Sequence, residues 1–240
     1  MFYVNRLKEL LKFRILPKKL YLRLSAANKS RRAVKKGETE LWLLPDLVDR
    51  NKDAIDIGAN TGLYTYYLSR LASHVYAFEP HRVLAGFLNK ATGDNVTVIN
   101  KALSDSSGTL PFYVPVRRGR KLYNVASLDE AVIKGRDHIV EDIETATLDQ
   151  LGYDNIGFIK IDVEGHELPV LRGAVNTIKQ QRPTMLIEIL DLADNINSNE
   201  TYGFIQDLGY KVNAMQDGKL LDINLADPAK LGRNYICLPT

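Results

Sequence analysis

Nine residues, Ala54-Ile55-Asp56-Ile57-Gly58-Ala59-Asn60-Thr61-Gly62, decide the fold of this chain. An apolar run enters a glycine turn and continues into a segment with helical spacing. Glycine at 58 lets the backbone bend sharply and lets a ligand approach closely, and Gly62 lets the helix pack on the strand. This order is typical of the ligand-binding crevice of a doubly wound α/β sheet, which lies at the carboxyl ends of the strands.

An acidic residue accompanies the glycine turn. Glu79 follows the next apolar run, 21 residues beyond Gly58, close to the ~20 residues expected for an acid that binds ribose hydroxyls. The turn reads D-x-G-x-x-x-G, without the second close glycine that brings a pyrophosphate onto a helix N-terminus. Asp56 would repel a phosphate and favour a cation such as an ammonium group. A glycine turn that serves packing alone is the structural alternative.

Short apolar runs alternate with helical segments along the rest of the chain, which predicts a doubly wound, mostly parallel, seven-stranded sheet. The predicted strands are 54–57, 75–78, 96–100, 158–161, 185–189, 210–214 and 235–238, and the predicted helices are 42–48, 64–71, 83–90, 168–179 and 201–208.

Two segments depart from this alternation. The last two strands have no clear helix between them, which predicts an antiparallel edge. The connection at 109–149 is unusually long and contains strand-like pieces at 110–114 and 139–146 around a polar, basic loop. Long insertions beside a sheet are usually functional or disordered, so residues 115–137 are a candidate lid or substrate loop.

The charge is distributed unevenly. Residues 1–36 hold 12 Lys and Arg against the single acid Glu9, a net +11, whereas the whole chain carries +3. We therefore separate a basic helical arm, residues 1–45, from a domain at 46–240. Residues 2–16 have the spacing of an amphipathic helix, and a second short helix is expected over about 18–28. The arm could pack on the domain, adsorb to an anionic membrane or contact nucleic acid, the last being disfavoured.

Composition favours a globular protein in a reducing, cytoplasmic compartment, with membrane association through the arm left open. Hydrophobic residues make up 45% and charged residues 25% of the 240 residues. The single cysteine, Cys237, excludes an intrachain disulfide and a thiolate metal cage. The arm is too polar for a signal peptide.

A second cluster of ionisable residues follows the strand at 158–161. Asp162, Glu164 and His166 occupy one strand-to-helix turn at the same sheet edge as the glycine turn, and Glu188 on the next strand could join them. Lys160, inside the strand, is interpreted as the partner of a carboxylate.

The sequence resembles the FkbM family of methyltransferases. The matching segments are DAIDIGANTGLYT at 53–65, VYAFEP at 75–80, NKALSDSSGTL at 100–110, IKIDVEGHELPVLRGA at 159–174 and LIEI at 186–189. The resemblance implies a Rossmann-like methyltransferase fold, S-adenosylmethionine as donor and a hydroxyl oxygen as the usual acceptor. It places Asp56, Gly58 and Asn60 along the methionine part of the donor and Glu79 on its ribose. The implied donor contacts further include Thr61, Pro80 and Asp162.

Methylation of an alkyl hydroxyl benefits from a base or a metal, because the hydroxyl proton is tightly held. His166 or Asp162 is the expected general base, with Glu164 as a further catalytic candidate. A divalent ion held by Asp162, Glu164 or His166 with Glu188 is the less favoured alternative. Structural explanations also stand: Glu164 could stabilise the helix N-terminus, and His166 could be a surface residue.

The expected function is O-methylation of a sugar, glycan precursor or other small metabolite. Methylation of base amino groups is disfavoured, since the N-P-P-aromatic turn is replaced by D-V-E-G. A nicotinamide-dependent oxidoreductase and a non-catalytic nucleoside-binding or membrane-docking module are the competing hypotheses.

Overall fold

The computed structural model describes residues 17–35, 40–189, 196–216, 219–224 and 232–240. The helix predicted over residues 2–16 lies outside these ranges. Within them, no helix is long and apolar enough to cross a membrane.

The described residues form twelve strands and seven α-helices. The strands are β1 (Asp53–Ile57), β2 (Val75–Phe78), β3 (Val96–Ile99), β4 (Ala102–Leu103), β5 (Gly108–Arg117), β6 (Arg120–Lys121), β7 (His138–Ala146), β8 (Ile156–Ile161), β9 (Thr184–Glu188), β10 (Tyr210–Gln216), β11 (Lys219–Asp222) and β12 (Asn234–Pro239). The α-helices are α1 (Lys18–Lys35), α2 (Leu44–Leu47), α3 (Leu63–Leu68), α4 (Arg82–Ala91), α5 (Glu167–Arg172), α6 (Val175–Gln181) and α7 (Ile196–Asp207), and 3₁₀ turns occupy Glu40–Leu43, Tyr123–Val125, Glu130–Ile133 and Asp149–Leu151.

The main sheet has the strand order β11-β10-β12-β9-β8-β1-β2-β3. The strands from β9 to β3 are parallel, whereas β12 runs antiparallel to both β9 and β10. The order reverses between β1 and β8, so the carboxyl ends of these strands border the crevice where such sheets bind ligands. The predicted doubly wound, mostly parallel fold is confirmed.

One detail of the predicted sheet is wrong. The described part of the sheet has eight strands rather than seven, because residues 219–222 add the antiparallel edge strand β11 beside β10. The predicted antiparallel edge is present, since the last two predicted strands, β10 and β12, pair antiparallel, and β12 lies between β9 and β10. Hydrophobic spacing identified the strands, but the order in which strands pair depends on long-range contacts.

The core lies on both faces of the sheet because side chains alternate along each strand. Ile55 and Ile57 pack on the face covered by α5, α6 and α7. Ala54 packs on the opposite face with Leu68 and Leu88. Asp56 and Lys160 are register partners on β1 and β8 and share this second face.

Helix α1 belongs to the same second face. Leu22 and Ala26 are buried, and the Tyr21 ring meets the Phe87 ring of α4 edge-on, with the ring centroids 5.5 Å apart. The predicted helix at 18–28 therefore extends to residue 35, and its apolar side packs on the domain.

The helix predicted over residues 168–179 is divided into α5 and α6. Gly173 lies against the backbone of Ser104, where an added Cβ would come within 2.0 Å of the Ser104 carbonyl oxygen. The Gly173 carbonyl also accepts a hydrogen bond from the amide of Asp149 instead of continuing a helix. The break brings residues 104–105 against the start of this helical pair.

A second sheet stands beside the crevice. Its order is β4-β7-β5-β6, with β5 and β7 antiparallel from Gly108 opposite Thr145 to Pro115 opposite His138. The strand-like pieces predicted at 110–114 and 139–146 are thus partners. The intervening candidate loop turns back over β5, where Tyr113 and Ser127 exchange backbone hydrogen bonds.

Candidate active site

The glycine turn after β1 lies directly against the end of β8. Gly58 has φ +80°, and a Cβ added there would be 1.9 Å from the Asp162 carbonyl oxygen. The amides of Gly58 and Ala59 both donate to the Phe78 carbonyl, at 3.0 and 2.9 Å. Only glycine fits this contact, since another residue would add both strain and a clash.

Glu79 is held in a fixed orientation at the end of β2. Its Oε2 accepts a hydrogen bond from the Asn60 amide at 2.7 Å, and its Oε1 accepts one from the His81 amide at 2.9 Å. Burial raises the pKa of Glu79 to about 7, although both amides favour the charged form. A carboxylate placed in this way can still accept hydrogen bonds from two neighbouring hydroxyls of a ligand.

These residues surround a cavity of about 130 Å³, which we call the donor cavity. Its wall includes Gly58, Asn60, Glu79, Pro80, Asp162 and Glu164. Five of the predicted donor contacts are therefore brought together: Gly58, Asn60, Glu79, Pro80 and Asp162.

Two other predicted donor contacts, Asp56 and Thr61, do not line this cavity. Asp56 is buried on the α3 side of β1 and accepts a hydrogen bond from Thr65 Oγ1 at 2.5 Å. Burial raises its pKa to about 6, and Lys160 opposes that rise. The alternation along β1 directs this carboxylate into the face opposite Ile57, so direct contact between Asp56 and the donor is not supported.

The turn after β8 divides the predicted catalytic residues between two cavities. Asp162 and Glu164 line the donor cavity, whereas His166 lines a neighbouring one. Glu164 has φ 52°, a left-handed conformation that is uncommon for a residue with a side chain. Its carbonyl accepts a hydrogen bond from Ser127 Oγ at 2.6 Å, so the candidate loop is attached to this turn.

Carboxyl groups are concentrated beside the donor cavity. Burial, followed by the charges of Asp162 and Glu188, raises the pKa of Glu164 to about 8. Burial and Asp162 raise the pKa of Glu188 to about 7. Lys160 and Arg233 oppose the rise at Glu188. Such a site favours a ligand with positive charge, because each carboxyl is easier to ionise beside a cation.

His166 is oriented by residues from the start of the second sheet. Its Nε2 lies 2.9 Å from Ser104 Oγ, and Ser104 donates to Asp105 Oδ1 at 3.3 Å. Because a serine hydroxyl has one proton, donation to Asp105 makes Ser104 the acceptor of a proton on His166 Nε2. This assignment from the contacts leaves Nδ1 as the basic nitrogen. Burial lowers the pKa of His166, which favours the neutral ring.

We call the neighbouring cavity, of about 340 Å³, the second cavity. It shares Leu128 of the candidate loop with the donor cavity. Tyr113, Asp129, His166 and Glu167 are among its lining residues. The predicted cluster therefore occupies the boundary between two adjoining spaces.

The candidate loop forms part of the wall of the donor cavity. Tyr123, Ala126 and Leu128 line it. The Tyr123 ring stacks on His81 with the centroids 3.5 Å apart, and its hydroxyl donates to Glu141 at 3.0 Å. A role for this loop as a lid or substrate loop stays a prediction.

Ser104 and Asp105 were not predicted as partners of His166. Both belong to the matching segment at 100–110, but their contact with His166 forms only when the folded chain brings the end of β4 beside the start of α5. Among the described residues, no group of three or more His, Cys, Asp or Glu side chains could hold a metal ion.

Comparison with known proteins relates this geometry to one enzyme family. The family model of the methyltransferase FkbM domain matches residues 56–212. Methyltransferase sdnD of Sordaria araneosa is 32% identical, over 51% of this chain and 60% of its own length. Hexuronic acid methyltransferase AglP of Haloferax volcanii is also 32% identical, over 52% of this chain and 50% of its own length. The chain therefore spans about half to three fifths of these two relatives.

Solved structures show the same fold. A methyltransferase FkbM from Methylobacillus flagellatus KT superposes with a TM-score of 0.52 at 16% identity, covering 79% of this chain and 44% of that one. A TehB-like SAM-dependent methyltransferase from Corynebacterium glutamicum superposes with a TM-score of 0.50 at 10% identity, covering 89% and 95%. These similarities support the predicted Rossmann-like methyltransferase fold.

Proposed function

The chain belongs to the FkbM methyltransferase family, and from that premise we propose that it is an S-adenosylmethionine-dependent O-methyltransferase. The proposed acceptor is a hydroxyl group of a sugar, glycan precursor or similar small metabolite. A relative named as a hexuronic acid methyltransferase supports a sugar-like acceptor. Family membership counts against the nicotinamide-dependent alternative.

The lining of the donor cavity supports S-adenosylmethionine as the proposed donor. Gly58 lets the turn lie directly against Asp162, so that both line the cavity, and the fixed Glu79 carboxylate suits a ribose hydroxyl pair. Asp162 and Glu164 give that end of the cavity the negative character that a sulfonium and an ammonium group require. When bound, this donor supplies an electrophilic methyl group on a positively charged sulfur.

The observation that carries the proposal is the orientation of His166 by Ser104 and Asp105. A neutral imidazole held by one nitrogen can take the acceptor's hydroxyl proton on the other nitrogen. Its location on the second cavity, beside the donor cavity, suits an acceptor that enters there. We therefore favour His166 over Asp162 as the general base, with Ser104 and Asp105 as positioning residues. Glu164 is assigned to the donor side.

The first test is thermal unfolding of the protein with S-adenosylhomocysteine, S-adenosylmethionine or NAD. A ligand at ~100 times its Kd stabilises by about 2.7 kcal/mol, which raises Tm by roughly 5–10 °C in a domain of this size. We expect that shift with both sulfur nucleosides and none with NAD. A shift with NAD alone would favour the oxidoreductase, and no shift with any ligand would favour a non-catalytic module.

Two further expectations are kept as proposals. A cytoplasmic location accords with the single cysteine, and peripheral membrane contact through the basic arm accords with its net charge of +11 over residues 1–36. The metal-dependent alternative is less favoured, because His166 Nε2 bonds to Ser104. Turnover that survives prolonged chelation is the outcome we expect.

A further inference from the structure

The second cavity has the size and lining of a small-molecule site. Its volume of about 340 Å³ falls in the range of about 300–1,000 Å³ that is usual for ligand pockets. Four of its lining residues offer apolar surface: Leu128, Leu168, Pro169 and Ile189. Tyr113 also lines this cavity. Such a surface suits the C–H face of a saccharide ring.

The charged groups on the wall are mainly acidic. Asp129, Glu130, Glu167 and Glu200 line the second cavity, together with the single guanidinium group of Arg172. Arg172 Nη2 lies 2.6 Å from Glu200 Oε1, so its charge is already matched within the chain. Among the described lining residues, this pair leaves three acidic residues, Asp129, Glu130 and Glu167, and no further Lys or Arg.

This lining distinguishes between classes of acceptor. Carboxylates accept hydrogen bonds from hydroxyl or ammonium groups, which a neutral sugar or an amino sugar supplies. A carboxylate or phosphate on the ligand would instead meet like charge, which is unfavourable. Buried Glu167 accepts a hydrogen bond from the Gly165 amide at 2.8 Å, and burial raises its pKa to about 7, so the selection against acidic ligands rests mainly on Asp129 and Glu130.

We propose that the second cavity binds the acceptor as a saccharide unit without an acid group, so that uronic acids and sugar phosphates are excluded. This inference rests on the proposed function, since it assigns the acceptor site of the same reaction. The neutral sugar hydroxyl would lie beside His166, while the donor occupies the adjoining cavity across Leu128.

The test is a ligand-observed NMR titration of protein saturated with S-adenosylhomocysteine. The probes are the methyl glycosides of gluco, galacto and manno configuration, each as the neutral sugar, the 2-amino sugar and the uronic acid. We expect at least one neutral or amino sugar to bind 10-fold or more tightly than the uronic acid of the same configuration. Equal or tighter binding of the uronic acid overturns the inference, and so does an absence of binding by all nine sugars.

A pair of variants assigns this selectivity to the second cavity. The first variant is Glu130→Lys, at an exposed residue that lines the second cavity. The control is Asp142→Lys, at an exposed residue on β7 that lines neither cavity. The two substitutions change charge equally. We expect only Glu130→Lys to reduce the preference for neutral over acidic sugars, by threefold or more, and an equal effect of both would refute the assignment.

The proposed function and this inference fail in different ways. If S-adenosylhomocysteine does not raise Tm, the donor assignment fails before any sugar is tested. If it raises Tm but the sugars show no preference for the neutral class, only the acceptor assignment fails.

Discussion

At the scale of single residues, His166 combines a fixed orientation with a lowered pKa. We expect His166→Ala to lower kcat by about 10²–10⁴-fold, the usual contribution of a general base, and to leave the Kd of S-adenosylhomocysteine unchanged. Because the neutral ring is the active form, kcat should be full at pH 7 and fall only below about pH 6.5. His138→Ala, an exposed imidazole on β7, is the matched control. Full activity of His166→Ala would move the base to Asp162.

Asp105 gives a more specific test of positioning. Its carboxylate raises the pKa of His166 and so opposes the effect of burial. Asp105→Asn should therefore lower kcat and displace the acid limb of the pH profile to lower pH. A merely structural role would lower the amount of folded enzyme without moving that limb.

Gly58 permits a second prediction at residue scale. Gly58→Ala adds a Cβ within 1.9 Å of the Asp162 carbonyl at φ +80°, so the turn must shift. We expect Tm to fall and the affinity for S-adenosylhomocysteine to drop at least 10-fold. Gly86→Ala, in α4 with nothing within 4 Å of the added Cβ, should be neutral or stabilising by up to about 1 kcal/mol. Equal behaviour of the two variants would show that the turn tolerates a side chain.

Residue types and spacing predicted the lining of the donor cavity better than the contacts of His166. Gly58 and Glu79 depend on one strand–turn–helix unit and the strand after it, so their chemistry can be inferred from the chain itself. The contact between His166 and Ser104 joins residues 62 positions apart. Asp56 was predicted on the donor because its type fits a cation, yet its place in the strand alternation directs it towards Thr65.

At the scale of elements, the segment between β6 and β7 joins the second sheet to the catalytic turn. Buried Ser127 donates to the Glu164 carbonyl and accepts from the Asp129 amide. Ser127→Ala should lower the free energy of unfolding by about 1–3 kcal/mol, because buried partners lose their hydrogen bonds. We also expect the Kd of S-adenosylhomocysteine to rise at least threefold.

The control for this segment is Ser73→Ala, which changes an exposed serine in the turn before β2. Isothermal titration and urea unfolding measure the two expected effects separately. A loss of stability with unchanged donor affinity would mean that the segment does not shape the donor cavity.

The predicted elements were mostly correct where hydrophobic spacing is continuous, as in β1, β2 and α4. They were incomplete where a tertiary contact interrupts a pattern. The helical spacing of residues 168–179 passes through Gly173 without a break, but the close approach of Ser104 ends α5 there. Strand β11 has only four residues, too few for its alternation to separate it from a turn.

At the scale of the whole molecule, the buried carboxyls determine how stability depends on pH. The pKa values of Glu79, Glu167 and Glu188 are raised to about 7 and that of Glu164 to about 8. A carboxyl whose pKa is higher in the folded chain stabilises fully below its unfolded pKa, and that contribution is lost as the pH rises through the folded value. The ligand-free protein should therefore lose stability as the pH rises from about 4.5 to about 8, by roughly 1 kcal/mol per pH unit for each such carboxyl, and should change little above that range.

Urea unfolding at several pH values checks this slope. His81 and His166 have lowered pKa values and act in the opposite sense, but only up to about pH 6.5. Glu164→Gln should flatten the slope, whereas Glu144→Gln, on an exposed side chain, should leave it unchanged. A flat profile in the unaltered protein would show that these carboxyls are ionised without penalty.

The position of β12 between β9 and β10 has a consequence for synthesis. A growing chain completes β9, β10 and β11 before β12, the strand that pairs with both β9 and β10, leaves the ribosome. Until residues 234–239 emerge, β9 and β10 each present an unpaired edge, and such edges pair readily with other nascent chains. A stall or premature stop shortly before β12 should therefore give an aggregating product rather than a partly active enzyme.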